Sequence, residues 1–150
     1  MKLLFTRRRH IGSWIIRMVT WSEYSHVDIV LDEHYLIGAT AFEGVAIQSI
    51  NYRLSNASKA VLMDLPVKSL EDAIGYAKSQ VGKRYDWLGV FGIGLRRNWQ
   101  DEKKWSCAEL VAAAADYAGQ KPFDSKFHYR ITPQNLLMLN FPKVKIDLRD

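Results

Sequence analysis

Apolar positions recur at three-and-four spacing from Ile11 through Trp14, Ile15, Met18 and Val19, the stripe of one helix face, which predicts a short amphipathic helix over about 12–20. It follows a strand-like run at 2–6. Beyond it the pattern turns β-branched and aliphatic: a strand at 26–31, a turn at Asp32-Glu33, a return at 34–40, a second reversal at Glu43-Gly44 and a strand at 45–50. A further strand at 60–65 stops at Pro66. Hairpin-length links join antiparallel neighbours, so these segments predict an antiparallel sheet of about four strands.

The second half reads as helical. Ser69 caps a helix whose apolar positions Leu70, Ala73, Ile74, Ala77 and Val81 share a face, with Gly82 as its stop. The glycine-rich 85–97 reads as a loop or short irregular helix. Ser106-Cys107-Ala108-Glu109 has the spacing of a capping box, in which the serine hydroxyl and the glutamate carboxylate each satisfy an orphan backbone N–H, and the helix it opens runs to Gly119. Cys107 is then the first helical residue. Thr132-Pro133 opens one more short helix, to about 139, and 144–148 adds an edge strand. With no repeat or linker, 1–150 reads as one domain of α+β class, an antiparallel sheet packed against helices.

A chain of 150 residues, about half of them apolar, can bury a core without disulfides. Its single cysteine excludes an intrachain disulfide and argues against a thiolate-rich metal site; Cys107 is either inert packing or a reactive group. The net charge of +5 favours an acidic partner without naming one. The opening Leu3, Leu4 and Phe5 precede three arginines, the reverse of a secretory signal and too short a run to span a membrane, so the protein is expected in the cytoplasm as synthesised.

At the first turn of a helix, unpaired N–H groups and the positive end of the dipole favour a thiolate, and the same N–H groups can hold an oxyanion. Packing is the competing reading, since Cys107 shares a helix face with Leu110, Val111, Ala114 and Ala118. A thiol nucleophile needs a base. His10 neighbours an arginine run, His34 lies at a hairpin turn and His128 has no motif around it, whereas His26 opens a strand, where an imidazole can point from the sheet's end at a helix terminus.

Four segments, Tyr24-Ser25-His26-Val27-Asp28-Ile29, Ile37-Gly38-Ala39-Thr40 ahead of Gly44-Val45, Val81-Gly82-Lys83-Arg84-Tyr85-Asp86-Trp87, and Trp105-Ser106-Cys107-Ala108-Glu109-Leu110-Val111, occur in an order that resembles the circularly permuted NlpC-type cysteine hydrolases, the YiiX-like branch. In that branch the histidine strand precedes the cysteine helix. The resemblance implies a permuted papain-like fold, a Cys107–His26 pair as nucleophile and base, and Tyr85 lining the site as a donor to the substrate carbonyl; packing beside Trp87 is the other reading of Tyr85. It also implies a third polar residue across the hairpin to orient the imidazole, but that position falls on Gly38, which has no side chain to offer. Thr40, two residues on, and Asp28, on the same face of the histidine's own strand, are the substitutes, and the choice between them is open.

Hydrolysis or transfer at an acyl, amide or isopeptide carbonyl is the expected function, without metal or organic cofactor. The resemblance implies substrates among peptides, cell-wall peptides and lipid or amine acyl groups. Arg96, Arg97, Lys103 and Lys104 flank the cysteine segment and can meet an anionic substrate or form a solvated face. The rivals are a papain-like interaction module that has lost its chemistry and, with no motif behind it, nucleic-acid binding through Arg7–Arg9 and exposed tryptophans.

Overall fold

The computed structural model describes residues 1–9, 11–86, 90 and 104–148. His10, Arg96, Arg97, Lys103 and nearly all of the expected loop at 85–97 lie outside these residues.

The chain forms β1 (Lys2–Arg8), α1 (Ile11–Thr20), β2 (His26–Val30), β3 (Tyr35–Thr40), β4 (Gly44–Ser49), α2 (Ile50–Ser55), β5 (Ala57–Asp64), α3 (Leu70–Ser79), the two-residue strands β6 (Arg84–Tyr85) and β7 (Lys104–Trp105), α4 (Cys107–Tyr117), a 3-10 turn (Ser125–Arg130), α5 (Pro133–Leu137) and β8 (Lys143–Ile146). The class is α+β, as expected, with an antiparallel sheet against helices. The sheet is larger than four strands: its order is β4-β3-β2-β1-β5-β8. The short run at the N-terminus is why. Leu3, Leu4, Phe5 and Thr6 are buried whichever face they point to, so β1 sits inside the sheet, paired with β2 on one side and β5 on the other. β8 then covers the outer edge of β5.

One face of the sheet carries Leu3, Phe5, Val27, Ile29, Ile37, Ala39, Val45, Val61 and Met63, which form the main core with Cys107, Leu110, Val111 and Ala114 of α4. α4 lies across β2 and β3 and packs on α3. The opposite face buries Leu4, Leu36 and Ala60 beneath Ile50 and Leu54 of α2, a helix that the strand-like alternation of 45–50 conceals.

Left-handed backbone shapes the turn beside β6 and the end of α1. Gly44 adopts φ +67°, and a Cβ there would stand 2.1 Å from the Lys83 carbonyl oxygen. Only glycine lets this turn approach so closely, and the Val45 N–H then donates to Lys83 and the Gly82 N–H to Val45, each at 2.9 Å, pinning the start of β6 to the sheet. At the end of α1 the Ser22 N–H donates to the Arg17 carbonyl at 3.1 Å, the long-range bond of a Schellman stop, and the left-handed position of that motif is held by Trp21 at φ 52°. Glycine is the usual occupant; a side chain there costs about 1–2 kcal/mol.

The stripe of α1 is where the period predicts, but it faces outward. Ile11, Trp14, Ile15 and Met18 are exposed, whereas Ser13 and Thr20 are buried against the body of the protein. Ser13 Oγ donates to Ser25 Oγ at 2.7 Å, and Thr20 turns its hydroxyl back to the Ile16 carbonyl.

Candidate active site

Ser106 caps α4 by accepting from the Glu109 N–H at 3.2 Å, and Glu109 reaches back to the Ser106 N–H, so Cys107 holds the first helical position. Such a cap stabilises a helix by about 1 kcal/mol and fixes its first turn. The parallel pairing of β6 and β7, Tyr85 opposite Trp105, carries Tyr85 alongside the residues that lead into the cysteine.

His26 opens β2. Its Nε2 lies 2.7 Å from Oδ1 of Asp28, two residues along the same strand and therefore on the same face. Asp28 is fully buried and meets a second partner that the sequence does not announce. Arg53 of α2, 2 % exposed, puts Nε 2.8 Å from Asp28 Oδ2 and donates from Nη2 to Oδ1 at 3.2 Å. Thr40 is differently engaged: its hydroxyl accepts from the Glu43 N–H at 3.3 Å in the β3–β4 turn. Gly38 is not a gap. A Cβ built there would sit 2.0 Å from Asp28 Oδ1 and 3.3 Å from His26 Nε2, so the aspartate carboxylate fills the volume that a side chain at position 38 would occupy.

Alternation along β2 turns His26 and Asp28 toward the face that bears α2, while Cys107 belongs to the core on the other face. No hydrogen bond joins His26 and Cys107 among the described residues, but Cys107 acts as a charge on both His26 and Tyr85. A small cleft of about 70 Å³ opens over His26, Thr40, Arg53 and Tyr85, bordered by Ser13 and Ile16 of α1 and by the fully exposed Phe42. Cys107, 3 % exposed, does not line it. His34 stays in the β2–β3 turn with its N–H on Asp32, and His128 lies in the 3-10 turn 3.9 Å from Asp116.

Burial is the largest single influence on His26 and pulls its pKa down, and Arg53 opposes protonation too; the Asp28 carboxylate, through its charge and its hydrogen bond, and Cys107 together outweigh them, and the net shift is upward from 6.5. Burial raises Asp28, but His26 and Arg53 bring it below its ordinary 3.8. Tyr85 is pushed well above 10, by burial first and then by Cys107 and Asp86, so its phenol keeps its proton at neutral pH.

These directions fix a pH dependence of stability. Asp28, depressed on folding, contributes stability above its unfolded value near 3.8, which is lost as pH falls through the folded value. His26, raised on folding, contributes below its unfolded value of 6.5 and loses that contribution as pH rises through the folded one. The expected melting profile is highest between roughly pH 4 and pH 6.5. His26→Ala is expected to lose the alkaline decline; an unchanged alkaline limb would separate it from His26.

No family model matches the chain, and no curated protein sequence matches it. Among solved structures it resembles the metalloprotein YiiX of Escherichia coli O157:H7, DUF1105, with a TM-score of 0.70 and 18 % identity over 95 % of this chain and 94 % of that one. Among the described residues here, no three His, Cys, Asp or Glu side chains are grouped to hold a metal ion, and the Asp28 carboxylate is already held by His26 and Arg53. At this identity the likeness speaks for architecture, and over nearly its whole length the chain has the YiiX-like fold.

Proposed function

We propose that the chain is a papain-like thiol hydrolase in which Cys107 is the nucleophile and His26 its base. The observation that carries the reading is the buried chain Arg53–Asp28–His26, which ends within charge range of a cysteine at the first position of a capped helix. Asp28 takes the orienting role that the resemblance places across the hairpin. With Nε2 held by Asp28, Nδ1 is the nitrogen left to exchange a proton with the thiol.

In the reaction His26 takes the Cys107 proton and the thiolate attacks the acyl carbonyl. The tetrahedral oxyanion is held by N–H groups of the first turn of α4 and by the protonated Tyr85. The carbon–nitrogen or carbon–oxygen bond breaks as His26 returns the proton to the leaving group. Water, deprotonated by His26, then opens the thioester and releases the acid. A peptide, cell-wall peptide or lipid-like acyl group fits this chemistry. The buried thiol, with no hydrogen bond to the imidazole, favours a second reading: an interaction module on the same scaffold.

The rate of Cys107 alkylation by iodoacetamide against pH decides between them. An activated pair keeps appreciable rate into mildly acidic solution and loses that limb in His26→Ala. An ordinary-thiol profile, identical in the two proteins, would overturn the enzyme reading and leave the module.

A further inference from the structure

The face that α1 turns to water is built for a different medium. An ordinary surface helix buries its apolar stripe and exposes its polar one; α1 does the reverse, with Ile11 78 %, Trp14 52 % and Met18 56 % exposed while Ser13 and Thr20 are buried. Trp21, the residue that follows the helix, is also 89 % exposed, and its backbone is in a left-handed conformation that glycine would adopt without strain. Arginines surround the patch. Arg7, Arg8, Arg9 and Arg17 line a groove of about 440 Å³ together with Ile11 and Trp14. None of the four is in an ion pair among the described residues.

We propose that this surface docks on an anionic lipid bilayer, with α1 lying in the interfacial plane. Ile11, Ile15 and Met18 enter the acyl boundary, Trp14 and Trp21 sit at headgroup level, and the arginines meet lipid phosphates. Charge selects this occupant over a second copy of the chain, because a two-fold contact through the patch would bring the same arginines against themselves. No helix among the described residues is long and apolar enough to cross a membrane, so the contact is made from one side. The inner side of α1, through Ser13 and Ile16, borders the cleft over His26. Docking therefore brings that cleft to the membrane surface, whatever chemistry the cleft performs.

The test is cosedimentation of the Cys107→Ala chain, which cannot turn lipid over through its thiol, with vesicles of phosphatidylcholine and phosphatidylglycerol in equal parts, against phosphatidylcholine alone. Binding to the anionic vesicles only, weakened by salt, is expected. Trp14→Ser/Met18→Ser should lose about tenfold or more in vesicle affinity with an unchanged melting temperature. Arg9→Gln/Arg17→Gln should lose the preference for anionic lipid. Trp21→Gly should bind several-fold more weakly while melting higher, since it relieves the strained turn. Absence of binding, equal binding to both vesicles, or indifference to Trp14→Ser/Met18→Ser would overturn the proposal. So would a concentration-dependent dimer without vesicles that Trp14→Ser/Met18→Ser abolishes, which would assign the patch to a second copy.

Discussion

Arg53→Met is expected to destabilise the fold by about 3–5 kcal/mol, an effect large enough to be read directly from urea unfolding. Asp28 is fully buried, and without the guanidinium its carboxylate keeps only the imidazole as a partner. The second readout is the titration of His26 by NMR. Arg53 acts on His26 as a like charge, so its removal should move the imidazole pKa further up, a change that loss of packing would not produce. A loss below about 1 kcal/mol, with His26 titrating as before, would mean that Arg53 is not tied to the pair. Replacing all the charges of such a buried cluster by apolar groups is often neutral or stabilising, so stability alone gives little reason to keep one. On the proposed function, its use is to hold the imidazole.

Gly38→Ala should cost about 1–3 kcal/mol and detach Asp28 from His26. The new methyl would stand 2.0 Å from Asp28 Oδ1 and 3.0 Å from its Cγ, and the carboxylate cannot swing away while Arg53 grips both oxygens. The cause is isolated in the Asp28→Ala/Arg53→Met background, where the carboxylate is gone and the space is open: there Gly38→Ala should cost under about 0.5 kcal/mol. Equal costs in the two backgrounds would trace the effect to the strand backbone instead.

The parts of the candidate site that depend on local pattern were legible in the sequence. The Ser106–Glu109 spacing places Cys107 at the first helical position, and period-two alternation puts Asp28 on the face of His26. Arg53 was not legible. It lies in a mixed stretch, Ile50–Ser55, where nothing local separates a buried arginine from a solvated one, and its burial is decided by how α2 folds back over the sheet. Gly38 reads in sequence as a missing side chain because a one-dimensional pattern cannot show that a neighbour's carboxylate occupies the space. For α1 the period of the stripe was right, but periodicity carries no sign: it finds an apolar face without saying which way the face points. β1 enters the middle of the sheet rather than its margin for a related reason, since a short apolar run does not say whether one face or both will be covered.

The His26–Asp28 contact lies along one strand rather than across two, and this changes what can disarm it. Residues two apart on a strand are separated by about 6.6 Å of covalent backbone, a spacing that does not alter if β3 slips or frays against β2. A pair divided between strands would lose its alignment with the first such slip. The weak point is displaced to Gly38, which supplies no atom to the pair and is needed only to stay small. Mutational drift there, at a position that looks inert, would be as damaging as loss of the aspartate itself.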